Sequence, residues 1–308
     1  MMESEAKRLA LEQLYRDQFK PEEYLSTYYR TLDAEVEFFL RNLHHFFFVS
    51  NGGHHDGTFQ EHEKQVEVSD DEMNKKKKGR RVLEIGSGPV PISMISASRW
   101  SEWIVCSDFL EQNRQNIKQW LLTMTATTTS TAAAPGRHDD DETWLPFFRY
   151  VTELERAESE TLLLERVRHS VRAVVPCNVL LTDPLMNDKE AAQNADGNSL
   201  YDVIITTLCL EFATLSVDEY SAAVGNVTRL LSPGGFLVVQ GALGNSHYWH
   251  NNHQFPSVTL SRAVVESAVK KAGCLLVDWR ELARCCPLQD KPADHSAVFY
   301  CLARKNQI

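Results

Sequence analysis

The stretch VLEIGSGPVPISM, residues 82–94, constrains the fold more than any other part of this chain. Val82, Leu83 and Ile85 form a short apolar block that reads as a strand, and the block breaks at Gly86-Ser87-Gly88. Glycines after a strand let the backbone approach a ligand closely. PISMISAS, residues 91–98, then opens a helix, with proline tolerated in its first turn and the N-terminal amides turned toward the same ligand. The result is the strand, turn, helix unit of nucleotide-binding α/β folds. Pro91 occupies the third glycine position of a dinucleotide-binding GxGxxG, and no GxxxxGK[ST] triphosphate loop occurs. Elimination leaves S-adenosylmethionine, which has no phosphate and needs close backbone approach to its amino acid part. WIVCSDF, residues 103–109, supports this reading by ending a second apolar run at Asp108. That is about 20 residues past the glycines, the spacing at which an acid reaches ribose hydroxyls.

From residue 81 onward the chain alternates strand and helix. Strands are predicted at 82–85, 103–107, 147–151, in VRAVV or NVLL, and in YDVIITTLCL, FLVVQGAL, CLLVDWREL and SAVFYCLARK. Helices are predicted at 91–98, 111–122, 160–172, in SVDEYSAAVGNVTRLL with a Ser216/Glu219 capping box, and in LSRAVVESAVKKAG. Such alternation implies a mostly parallel sheet with helices on both faces. The gap between the closing strands is too short for a crossover helix, so the last strand runs antiparallel. Residues 1–49 read as an N-terminal helical cap, 50–80 as a polar loop and 81–308 as the ligand-binding domain, with polar inserts near 123–143 and 187–199.

A net charge of −10 argues against a nucleic-acid binder, since phosphate affinity rests on clustered Lys and Arg. The cluster Lys75–Lys78 with Arg80 and Arg81 follows the acidic EVSDDE and reads as solvated loop. No apolar run approaches the roughly 20 residues needed to cross a bilayer. The N-terminus is charged, and the expectation is a soluble, cytoplasmic monomer. Cys106, Cys209 and Cys301 fall in strand-like runs, Cys285-Cys286 reads as a surface loop with free thiols, and the histidine-rich HYWHNNH has no metal-ligand pattern.

EYLSTYY, VLEIGSGP, SDFLEQN, TTLCLE and LLSPGGFLVVQGAL together resemble the methyltransferases that include the nicotinamide, phenylethanolamine and thioether or indolethylamine enzymes. The resemblance spans roughly residues 20–305 apart from the inserts. It implies a Rossmann-like class I fold with a seven-stranded sheet, S-adenosylmethionine as cofactor and a small-molecule acceptor. By the same resemblance Tyr24, Tyr28 and Tyr29 close over cofactor and acceptor. Gly86, Ser87 and Gly88 form the cofactor turn, Asp108 is the ribose acid, Phe109 lies beside adenine, Asn113 is a polar partner, and Thr207 lines the methionine side. Asn178 stands where relatives often have Asp, so an amide oxygen, with Val179 next to it, must meet the adenine amino group.

Methyl transfer from a sulfonium needs an acceptor lone pair held in line, and most of the acceleration comes from positioning and from excluding water. A pyridine nitrogen is neutral at pH 7, whereas an alkylamine must first lose a proton, so carboxylates near the acceptor point toward an amine. Glu211, at the C-terminal end of a central strand, is one candidate catalytic acid, and the resemblance adds Asp294, before the last strand, which aligns with an amine-contacting acid of the phenylethanolamine enzyme. Phe212, Asn245, Tyr248 and Ser257 are the candidate acceptor contacts implied by the resemblance, with Phe212 standing where relatives often have a small residue. Nicotinamide enzymes carry an Asp where this chain has Gly241, which places a primary amine ahead of nicotinamide as acceptor. A catalytically silent cofactor-binding protein is the alternative of a different class.

Overall fold

A computed structural model of the protein describes residues 2–49, 79–126, 139–157, 159–186, 199–284 and 293–307. Lys75–Lys78, Cys285-Cys286 and most of the polar inserts lie outside the described residues. The N-terminal region forms α1 (Met2–Gln18), α2 (Pro21–Tyr28) and α3 (Ala34–His44), the last capped by the Asp33 side chain and continued by a π-helical turn, His45–Val49. Then follow β1 (Arg81–Ile85), α4 (Ile92–Trp100), β2 (Trp103–Asp108), α5 (Glu111–Ala126), α6 (Asp139–Glu155), α7 (Glu160–Ser170) and β3 (Val171–Pro176). The second half holds β4 (Tyr201–Thr207), the single turn α8 (Leu210–Ala213), α9 (Val217–Arg229) and β5 (Leu231–Leu243). It ends with the hairpin β6 (His247–His250) and β7 (His253–Pro256), α10 (Arg262–Lys271), β8 (Cys274–Ala283) and β9 (Ala297–Lys305).

Seven strands form one sheet in the order β3-β2-β1-β4-β5-β9-β8, parallel except for β9, which pairs antiparallel with β5 and β8. Alternate residues of each strand feed opposite faces. Leu83, Val105, Ile204, Val239 and Phe299 pack under α9 and α10, while Val82, Ile104, Val203, Val238 and Tyr300 pack with α3, α4, α6 and α7. The N-terminal α3 therefore shares a core with the sheet through Val36, Leu40 and Leu43.

One expectation needs correction, and two further segments are resolved. The strand predicted at 147–151 is part of α6: Trp144, Phe147, Phe148 and Val151 are all buried at helical spacing, and their aromatic density imitates a strand. The third strand is VRAVVP, residues 171–176, whereas NVLL makes a turn in which Leu181 N–H donates to the Asn178 carbonyl. HYWHNNH folds into the β6–β7 hairpin, turned by Asn251 and Asn252 at φ 50° and 58°, the left-handed pair that a two-residue hairpin loop demands. The Ser216 cap forms as predicted, its hydroxyl accepting from Glu219 N–H, but the Glu219 carboxylate accepts from Leu215 N–H and pairs with Arg8 of α1.

Candidate functional site

In an open parallel sheet, ligands bind at the carboxyl ends of the strands where the strand order reverses, here between β1 and β4. A cavity runs along that edge. It begins at Asp108 after β2, passes Gly86–Gly88 after β1 and Thr207 at the end of β4, and reaches Ala242 in β5 and Val298 in β9. Neighbouring strands lie about 4.8 Å apart, so the four steps from β2 to β9 span about 19 Å. Tyr15 of α1, Phe19 just after it, and Tyr24, Tyr28 and Tyr29 at α2 also line it.

At the β1–β2 end the glycine turn and Asp108 form one hydrogen-bonded unit. Gly86 and Ser87 N–H both donate to the Ser107 carbonyl, at 2.8 and 3.0 Å. Gly86 has φ +70°, and a Cβ there would lie 2.6 Å from the Cys209 Cβ, so this position admits glycine alone. The Asp108 carboxylate accepts from Gly88 N–H (2.8 Å), Leu110 N–H (2.8 Å) and Asn113 Nδ2 (3.1 Å). Burial raises its pKa, and those hydrogen bonds oppose the rise. A carboxylate has about four acceptor sites, so one more donor, such as a hydroxyl, fits. Asn113 Oδ1 is buried with no hydrogen-bond partner among the described residues. Those two acceptors on the cavity wall suit the hydroxyl and amine groups of S-adenosylmethionine. Phe109 lines the wall with Arg16 4.6 Å from its ring centroid. Asn178 lines it too, but its Oδ1 accepts from Leu180 N–H at 3.1 Å, and Val179 is buried beside it. The Thr207 hydroxyl donates to Gln240 Oε1 at 3.1 Å, and Gln240 in turn donates to the Phe39 carbonyl.

The β5–β9 end is aromatic. Phe212 packs edge-on against Tyr248 at 5.0 Å, and Tyr248 stacks on Phe255 at 5.0 Å. Tyr24 lies 5.1 Å from Tyr28 and 5.8 Å from Tyr29, as the one-sided helical spacing requires. The Tyr28 hydroxyl donates to the Trp249 carbonyl at 2.8 Å, and Lys20 N–H donates to His250 Nε2 at 2.9 Å. With the Tyr248 hydroxyl donating to the Tyr15 hydroxyl at 3.3 Å, three hydrogen bonds tie the α1–α2 region to the β6–β7 hairpin.

Neither candidate catalytic acid is on the cavity wall. Glu211 is 1% exposed; its Oε1 accepts from Ala242 N–H at 3.0 Å, and burial lifts its carboxyl to about 7. Gly241 makes room for it, because a Cβ there would meet Glu211 Oε1 at 2.7 Å and the Phe299 ring at 2.8 Å. The Asp294 carboxylate accepts from the Ser246 hydroxyl at 2.5 Å and from Ser246 and His247 N–H at 2.8 and 3.1 Å, and its pKa is lowered because these bonds, led by the hydroxyl, and the nearby His247 together outweigh its desolvation. Ser257 also lies off the wall. Both reach the cavity through Asn245, a fully buried wall residue. With its amide nitrogen turned toward them, Asn245 donates to Asp294 Oδ1 (2.8 Å) and the His247 carbonyl (3.0 Å) and accepts from the Ser257 hydroxyl (3.1 Å).

The wall also holds residues that the sequence reading missed, chiefly Tyr15 of α1, Glu35 of α3 and His295 before β9. Tyr15 and Phe19 sit one helical turn apart, a local signal of a shared face. Glu35 and His295 are 260 residues apart, with no such signal.

The strand order and the Gly86–Gly88 turn beside Asp108 fit an S-adenosylmethionine-dependent methyltransferase. The chain belongs to the NNMT/PNMT/TEMT family, whose family model matches residues 68–306. It is 31% identical over 229 residues to nicotinamide N-methyltransferase of Sus scrofa, covering 74% of this chain and 78% of that one. Identity is 29% over 302 residues to nicotinamide N-methyltransferase of Homo sapiens and 29% over 300 residues to indolethylamine N-methyltransferase of Mus musculus, with 94% of each chain covered in both cases. The protein is therefore an N-methyltransferase that uses S-adenosylmethionine.

Proposed function

We propose that the acceptor is a small aromatic alkylamine, methylated on its amine nitrogen at the β5–β9 end of the cavity. The observation that carries this reading is the continuity of the cavity. One compartment runs from the Gly86–Gly88 turn and Asp108 to an aromatic end walled by Phe212 and Tyr248 under α1 and α2. Gly86, Ser87, Gly88, Asp108, Phe109, Asn113, Asn178, Val179 and Thr207 hold the cofactor in this reading, and it supplies an electrophilic methyl on a sulfonium. Tyr24, Tyr28 and Tyr29 cover both ligands and exclude water, which strengthens electrostatic contacts inside and suppresses side reactions. Phe212 and Tyr248 present ring faces and edges to an aromatic acceptor. Asn245 contacts its polar end, held in place by Asp294 and Ser257. Glu211 acts as a polar group behind the wall, not as the proton acceptor; the ammonium proton passes to solvent before the freed lone pair attacks the methyl and S-adenosylhomocysteine leaves.

The named relatives act on nicotinamide and indolethylamine, both compact aromatic nitrogen compounds. The amine reading is favoured over the nicotinamide one because Glu211 Oε1 and the Phe299 ring already fill the space beside Gly241. An acid at that position, which the resemblance assigns to nicotinamide enzymes, has no room here. S-adenosylhomocysteine production with a panel of phenylethanolamines, tryptamine, nicotinamide, quinoline and a thioether tests the proposal. A primary amine is expected to give the highest kcat/KM. A preference for nicotinamide or quinoline overturns the amine reading. Cofactor binding without turnover of either amine class overturns the aromatic alkylamine reading as well.

A further inference from the structure

Three carboxylates line the cavity among the described residues: Glu12, Glu35 and Asp108. Asp108 belongs to the glycine-turn end, where it already accepts three hydrogen bonds. Glu12 lies on α1 with 29% of its side chain exposed and Arg16 at 4.0 Å. Glu35 is the more secluded at 18%, and it is held by a second wall residue: His295 Nε2 is 2.7 Å from Glu35 Oε1.

The pair is oriented from both sides. Arg284 Nη1 donates to the Ala293 carbonyl at 2.6 Å, to the His295 carbonyl at 3.2 Å and toward His295 Nδ1 at 3.4 Å. Arginine has no acceptor, so Nδ1 is the accepting nitrogen and Nε2 carries the hydrogen given to Glu35. Glu35 is also the second residue of α3, where the helix dipole favours an anion. His295 lies two residues before β9, which places the pair at the end of the cavity opposite Asp108.

We propose that the Glu35–His295 pair is the amine-recognition element of this enzyme, the carboxylate receiving the N–H groups of a cationic acceptor and His295 holding it in position. The proposal rests on the reading that the acceptor occupies the β5–β9 end. It assigns selection for a protonatable nitrogen to a residue of the N-terminal helices and one of the C-terminal loop, and to neither Glu211 nor Asp294.

The test separates recognition from turnover. Protein saturated with S-adenosylhomocysteine is titrated by calorimetry with 2-phenylethylamine and with 2-phenylethanol, which replaces the ammonium by a neutral hydroxyl. Wild type is expected to bind the amine at least tenfold more tightly than the alcohol. Glu35→Gln keeps an acceptor for His295 and is expected to bring the two within twofold, with S-adenosylhomocysteine affinity and Tm unchanged. Glu35→Asp, with the charge kept but withdrawn by one methylene, should restore part of the preference, and His295→Leu should weaken it. A preference that survives in Glu35→Gln, or that collapses in Glu12→Gln instead, overturns the proposal. So does a wild type that shows no preference. If wild type discriminates as expected yet methylates no amine, the recognition element stands and the assigned reaction fails.

Discussion

Replacing Glu211 by glutamine tests whether this acid is a buried structural group. The amide keeps an oxygen to accept the Ala242 N–H but cannot titrate. Burial raises the Glu211 carboxyl from 4.5 to about 7, opposed in part by backbone hydrogen bonds from Glu211 and Ala242 N–H. At about 1.4 kcal/mol per pH unit, a rise from 4.5 to about 7 corresponds to roughly 3 kcal/mol. The sign follows from linkage. Between those two values the native state holds a proton that the unfolded state has lost, so stability falls as pH rises through the window and then levels off. Glu84, raised to about 8 by burial, adds a slope of the same sign, and it cancels in the difference between wild type and variant. Urea unfolding followed by circular dichroism and fluorescence at pH 5, 6, 7 and 8 gives that difference, provided the two probes coincide. Wild type should lose most of the 3 kcal/mol relative to Glu211→Gln between pH 5 and 7, and kcat should change less than threefold. A flat difference, or one that rises with pH, refutes the assignment. A fall in kcat beyond tenfold, at unchanged stability, returns Glu211 to the catalytic machinery.

Gly86→Ala places a methyl against Cys209 at a left-handed backbone position, and should cost about 1–3 kcal/mol in strain alone. It should also abolish S-adenosylhomocysteine binding, read by thermal shift with and without ligand. Gly241→Ala drives a methyl into Glu211 Oε1 and the Phe299 ring and should destabilise by about 1–3 kcal/mol of overpacking. Denaturant midpoints check this, and in the double variant Gly241→Ala/Glu211→Ala part of the loss should be recovered.

The cofactor end was legible because its signals are local. Strand, glycine turn and acid follow one another within residues 82–108, and the Ser107 and Asp108 hydrogen bonds join them into one unit at the edge of the cavity. The alternation of elements gave the sheet and the antiparallel β9 for the same reason. Legibility failed where periodicity was ambiguous or contacts were distant. The Phe147-Phe148 run of α6 has the composition of a strand, and only its burial spacing betrays a helix. Glu211 and Asp294 have the right residue type near the right strand ends, but no sequence rule tells which way a carboxylate turns. The His295–Glu35 contact joins segments from opposite ends of the chain, and neither segment carries a pattern that announces the other.

That division between the two ends of the cavity bears on how such an enzyme diversifies. The cradle at the β1–β2 end is assembled from residues 86–113, in one continuous piece with an internal hydrogen-bond network. The opposite end is assembled from α1 to α3, the β6–β7 hairpin and the loop before β9, elements drawn from the two extremities of the chain. In the proposed reading, substitutions in the β6–β7 hairpin and the loop before β9 can therefore reshape the acceptor end without touching the hydrogen bonds of residues 86–113.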